Sequence, residues 1–196
     1  VLAIPLHADV IYNNLTPTNS IAVATRQGAV GVTEIEAADD FVISGSTSVT
    51  GASFTGLFYS PTGASPFISG ITVDIFRVYP LDSDTSRTLT VPTRVNSPSD
   101  TPVQSRTGAQ LGFISSVLNS SLSALNSVLP GGIHPQPNQT TGGNGAVRGQ
   151  EVQIDDTFLT PFVLTADHYF FVPEVTLSDG ATFLWLSASR PISGAR

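Results

Sequence analysis

The sequence predicts a mainly β chain: a single antiparallel, jelly-roll-like β-sandwich with one amphipathic helix near 111–129. Three observations lead there. At least eight short apolar or alternating runs are separated by Gly-, Pro- and Asn-rich turns, no βαβ alternation is present, and Leu111–Leu129 carries a helical period. A chain of 196 residues can bury one core without a second domain.

Val1–Ala8, VLAIPLHA, reads as the tail of a secretory signal peptide, with Pro5 against a strand, a small residue at the cut and polar sequence from Asp9. The other reading is an ordinary first strand, Val1–Leu6. Residues 9–196 then form the one sandwich domain. Asp9–Leu15 and Ile21–Thr25 are short β-like runs joined by the turn-rich TPTNS. Glu34, Ile35 and Glu36 alternate like a strand with one wet face. Asp39-Asp40-Phe41 is either a carboxylate pair able to ligate a hard cation or a solvated turn entry before a core Phe.

The clearest strands lie in Ala38–Tyr79. Phe54 and Phe58 share a face with Ala52 and Gly56, opposite Ser53, Thr55 and Tyr59. Ile71, Val73 and Ile75 face away from Thr72 and Asp74, and the FRVY that follows is apolar on both sides. This pair is expected at the middle of the sandwich. In Pro80–Thr90, Asp82, Asp84 and Ser86 have the opening spacing of a calcium loop. An EF-hand would need Gly and Glu where Arg87 and Thr93 stand, so the loop is a looser oxygen cage on the rim or a turn capped by short acids. Thr93–Gln110 is a polar crossover.

Leu111, Ile114, Leu118, Leu122, Leu125 and Leu129 fall within about 80° of one helical wheel, and Pro130-Gly131-Gly132 would end the helix. His134–Gly149 is turn-rich, with Asn144-Gly145 a tight turn. Its glycines Gly143, Gly145 and Gly149 miss the dinucleotide spacing. Strands follow at Glu151–Phe158, Pro161–Leu164, His168–Leu177 and Thr182–Ser187, with an Asp179-Gly180 hairpin between the last two.

Composition narrows function. The net charge of -7 and pI near 4.6 argue against a grip on nucleic acid or anionic lipid. All eight basic residues are Arg, which removes lysine chemistry, and the absence of Cys removes disulfides, thiol nucleophiles and zinc–thiolate sites. No apolar run approaches the roughly 18 residues of a membrane span. With 23 Ser and 22 Thr, the composition resembles that of extracellular β-proteins, secreted or held at a cell surface. Three scattered His residues (His7, His134, His168) and the lack of G-x-S-x-G or H-E-x-x-H argue against an enzyme. Asp167 and His168, as strand neighbours, point to opposite faces rather than into a triad.

Binding is easier to build. Tyr59, Tyr79 and Trp185 are the candidates for stacking on a sugar, if they are not core or rim packing. The expected function is a non-catalytic extracellular or cell-surface module binding a neutral glycan or a protein partner. The rival is a structural subunit of a surface layer or filament that self-associates through Ser/Thr-rich edges; a carboxylate-based glycan hydrolase comes third. The cofactor that fits an oxygen-only inventory is Ca²⁺, held by Asp82 and Asp84 or by Asp39 and Asp40. Asn14, Asn119 and Asn138 stand in N-x-S/T sequons.

The runs ADDFVISG and VTGASFTGLFYS, then ITVDIFRVYPLDSD, NQTTGGNGAVRGQEV and DHYFFVPEVTLSDG, resemble a group of uncharacterised secreted bacterial proteins. Many of these end in a PEP-CTERM-type sorting tail. The resemblance spans most of residues 35–188 and implies an exported β-sandwich of unknown activity, with no active-site residues to carry over. The tail is not in this sequence, which is therefore expected to be truncated at both ends.

Overall fold

Among the described residues ten strands account for the architecture: β1 (Pro17–Ala24), β2 (Asp39–Ile43), β3 (Thr47–Tyr59), β4 (Ile68–Arg77), β5 (Gln104–Thr107), β6 (Leu111–Ala124), β7 (Asn126–Val128), β8 (Val147–Leu164), β9 (Asp167–Leu177) and β10 (Thr182–Ala188). They are taken from a computed structural model that describes residues 10–13, 15–63, 65–86, 96–131 and 142–189. The leader expected at Val1–Ala8 with His7, the comparison positions Arg87 and Thr93, His134, and the sequons at Asn14 and Asn138 lie outside the described residues.

The strands form one curled, antiparallel sheet that behaves as two layers. β5–β4–β9–β2 make the first, and β1–β10–β3–β8–β6 the second. A single pair, Thr182 with Thr176, joins the layers at the β9–β10 hairpin, where Asp179 and Gly180 both take positive φ as a two-residue hairpin turn requires. The second layer curls until it closes. After β6 the chain passes through Leu125 into β7, which runs parallel to β1 at Ile21–Val23, so β7 completes a ring of strands.

Alternation assigns the faces. Phe54, Phe58, Ile71, Val73, Ile75, Ile154, Phe158, Tyr169, Val175 and Phe183 form the main core between the layers. Phe54 packs edge-on to Phe183 at 5.9 Å, and Phe171 edge-on to Trp185 at 5.8 Å. The ring interior is a second cluster, in which Ala22, Ala24 and Ala124 leave room for Leu57, Leu184 and Leu186. Gly56 is required where the rings crowd: a Cβ there would meet the Phe183 ring at 2.3 Å.

The helix expected over 111–129 does not form; Leu111–Ala124 and Asn126–Val128 are strands. Ser and Asn give this stretch weak helix propensity, and β8 offers it a ladder from Leu111–Phe158 to Ala124–Val147. Register shifts at Val117/Asn119 and Asn119/Leu122 break the alternation by two, so the leucines fall by accident into a 3.6-residue phase. Other expectations shift less. The last four residues of TPTNS, Pro17–Ser20, are part of β1, with Asn19 at φ 58° where the register slips. No strand forms over residues 10–13, and the two strands expected in 151–164 are one. Pro161 stands inside it because the β3 pairing skips from Thr157 to Phe162, leaving no ladder bond for Pro to break.

Candidate functional site

The outer face of the first layer is where charge collects. On β4, Thr72, Asp74 and Phe76 point away from the core, and on β9 so do Phe170, Val172 and Glu174. The pairing sets Thr72 opposite Glu174 and Asp74 opposite Val172. The chain leaving β1 folds back over this face. Arg26 and Ile35 form a bridge with backbone bonds of 2.9 and 3.1 Å, and Ala29 and Val32 close the tip. Thr25 fastens the base, its hydroxyl donating to the Pro173 carbonyl at 2.5 Å. Gln27 Nε2 donates to the hydroxyl of Thr72, which in turn donates to Thr107 at 2.9 Å.

The alternation of Glu34, Ile35 and Glu36 now has a physical role. Ile35 packs against the ring cluster, and the two glutamates turn to the opposite side, toward Glu174. Carboxylate oxygens of Glu34, Glu36 and Glu174 lie within 4.8 Å of one another. Glu34 and Glu36 are exposed, whereas Glu174 is 1% exposed and its Oε1 has no hydrogen-bond partner. Asp74 Oδ1 is likewise buried without a partner. Burial, then the charges of Glu34, Asp74 and Glu36 and a hydrogen bond with Glu34, push the Glu174 carboxyl up to about 8. Burial first, then Glu34 and Asp74, raises Glu36. Asp74 is raised by burial, which a hydrogen bond from Ser105 partly opposes. A cleft of about 440 Å³ opens beside this cluster between Gln27, Gly28, Gly70 and the β9–β10 turn, but the acids do not line it.

A second buried acid, Asp156 on β8, sits on the core face between Ile154 and Phe158. Both its carboxylate oxygens lack a partner, and burial, helped by Asp155, pushes its pKa up to about 7. Asp155 faces the other way and accepts from Ser53 at 2.5 Å.

The residues singled out in the sequence do not converge. Asp39 accepts the Tyr12 hydroxyl at 2.6 Å, and Asp40 stands 3.0 Å from His168 Nε2. Asp82 takes the Arg77 guanidinium through two bonds, which lower its pKa and raise that of Arg77. Asp84 accepts from the Ser86 amide at 2.9 Å and from the Ser86 hydroxyl, as a turn-capping acid does. Tyr59 packs into the ring cluster and Trp185 into the main core, on opposite faces of the same layer. Tyr79 belongs to neither: it follows β4, its amide donating to Ser97 at 2.9 Å. His168 is oriented by Asp40 from β2, while Asp167 bonds only its backbone amide. Among the described residues, the one group of three or more potential metal ligands is Glu34, Glu36 and Glu174. Part of the signal was present in the sequence: Glu174 is an acid within the nearly continuous apolar run from Tyr169 to Leu177.

A third feature is the edge strand β6. Its Leu111–Ala124 run holds no charged residue, and Phe113, Ile114, Val117 and Leu118 are 43–68% exposed. Among the described residues no strand pairs with its second edge before Leu125.

Comparison with protein-family models, curated proteins and solved structures finds no match for this chain. Among the described residues no helix is long and apolar enough to cross a membrane.

Proposed function

We propose that this chain is a non-catalytic, exported interaction module that binds a protein partner through the open edge of β6, and that the partner is a second copy of the same chain. The observation that carries this reading is the combination of exposed apolar side chains with a charge-free strand edge that no other strand pairs among the described residues. Soluble proteins ordinarily guard such an edge with Lys, Pro or inward charges, and β6 has none over 14 residues. Antiparallel pairing of β6 with its own copy about a two-fold axis is self-complementary. It also brings no like charges together, which matters in a chain of net charge -7. Export is supported by the Lys-free, Ser/Thr-rich composition.

The glycan reading has less support, because Tyr59 and Trp185 pack on opposite faces of their layer and Tyr79 joins neither cluster. A carboxylate hydrolase has less again: the two acids held near neutrality, Glu174 and Asp156, are buried and offer no proton to a glycosidic oxygen.

Light scattering over a hundredfold concentration range tests the proposal. The expected result is a mass that rises with concentration, reduced to the monomer in the Ile114→Lys/Leu118→Lys double variant with the melting temperature unchanged. A monodisperse monomer throughout sinks the reading. Glycan-array binding lost in Trp185→Ala would then replace it with the sugar-binding one.

A further inference from the structure

We propose that Glu34, Glu36 and Glu174 form a Ca²⁺ site, with Asp74 beside it, that clamps the 26–36 hairpin to the outer face of β4 and β9. A cluster of surface acids alone would not carry this, since such groups stay apart in water. Here one member is withdrawn from water. Glu174 is 1% exposed, directed into the group formed by the two hairpin glutamates, and its Oε1 has no protein donor. A buried carboxylate oxygen without a donor needs either a proton or a cation. The charges acting on Glu174 are those of Glu34, Asp74 and Glu36, all of the same sign, so the surroundings are built for a positive ion.

The donor chemistry selects the ion. The ligands are carboxylate oxygens, with neither His nor Cys among them, which favours a hard cation. Two oxygens bound to the same ion are separated by at most twice the bond length, about 4.6–5.2 Å for Ca²⁺ and about 4.0–4.2 Å for Mg²⁺. The three oxygens lie within 4.8 Å of one another, inside the Ca²⁺ limit, and a site with one open side suits the flexible coordination of Ca²⁺ better than the strict octahedron of Mg²⁺. Glu34 and Glu36 are exposed, so the ion has an entry path and can keep water on its open side. Gly28 leaves room for Glu34: a Cβ there would stand 3.2 Å from the Glu34 Cβ. The hairpin brings two ligands and the sheet brings the third, so binding joins them. The acids flagged in the sequence, Asp39, Asp40, Asp82 and Asp84, take no part.

This inference is independent of the β6 edge, which lies in the other layer, and its test does not read assembly. Thermal melts and calorimetric titration would use CaCl₂ on the full chain, with MgCl₂ and ionic-strength-matched NaCl as comparators. The expected result is one Ca²⁺ per chain and a melting temperature raised by about 5–10 °C at a hundredfold excess over Kd, with a weaker response to Mg²⁺. The response should vanish in Glu34→Gln/Glu36→Gln, whose changes are at exposed positions, and in Glu174→Gln. Without Ca²⁺, Glu174→Gln should melt above the wild type. No heat of binding and no Ca²⁺-induced shift overturn the proposal. So does a shift reproduced by NaCl, or one retained in both variants.

Discussion

Glu174 and Asp156 are both acids buried in a sheet, and they are buried in opposite company. Glu174 lies beneath a hairpin that carries two more carboxylates, on a face open to solvent through Glu34 and Glu36. Asp156 lies among Ile154 and Phe158, with neither oxygen partnered and with Asp155 as the charge acting on it. The first arrangement gathers like charges where a cation can reach them. The second isolates one charge where nothing can. Burial alone therefore does not mark a site; what distinguishes the two acids is the charge and access of their surroundings.

Asp156 stands in a strand paired on both sides, opposite Ala52 of β3 and Phe113 of β6, whereas the hairpin over Glu174 carries the isolated bridges Arg26–Ile35 and Ala29–Val32, and this difference is the largest one open to test. At the β3–β8 register shift, Gly51 lets the Asp156 carbonyl approach so closely that a Cβ would stand 2.3 Å from its oxygen. Gly51→Ala should cost about 3 kcal/mol or more in denaturant unfolding, because backbone must move to admit the methyl group. An unchanged midpoint would mean that this segment yields, and the contrast with the hairpin would fail.

Asp156→Asn has the next largest effect, and its pH dependence gives the sign. The unfolded side chain ionises near 3.9, the folded one near 7. Between these values the native state keeps a proton that the unfolded state has released. Wild-type stability therefore falls as pH rises through this window, and the loss is complete above pH 7. The variant should match the wild type near pH 4 and exceed it by about 2 kcal/mol at pH 8, within an upper bound of about 4 kcal/mol set by the shift. A pH-independent difference would show that Asp156 is not held near neutrality. Asp155→Asn is the mildest change. It removes the lesser of the two causes and should move the midpoint of that pH dependence downward by less than a unit, burial remaining the main one. A larger displacement would make the pair, rather than the core, responsible.

Much of the sheet was legible because its strands alternate regularly and are half or fully buried. Phe54 and Phe58, and Ile71, Val73 and Ile75, alternate without interruption and lie in the main core as their spacing requires. Asp179-Gly180 is the hairpin turn its dipeptide announces. Leu111–Leu129 carries a helical period without forming a helix for the converse reason. Exposed on both faces over residues 113–121 and shifted twice in register, β6 has no burial there to impose a period of two on its sequence. The acid cluster needed three-dimensional information: Glu34 and Glu174 are 140 positions apart in sequence (174 minus 34), and only the fold-back of the hairpin over β9 brings them together. Asp82 and Asp84 had the spacing of ligands, but Arg77 and Ser86 satisfied them locally.

The ring has a consequence for how the chain folds. Thr18 bonds to Ser187, 169 residues away, and Ser53 to Asp155, 102 residues away. β1 thus lacks its antiparallel neighbour until β10 is available, and β3 lacks one of its partners until β8 is. Such closures spend chain entropy before any contact offsets it, which places folding in the slow, non-local regime of β topologies. During that wait the uncharged β6 segment, 14 residues with its own partner β8 still to come, is the part of the chain most exposed to strands of other molecules.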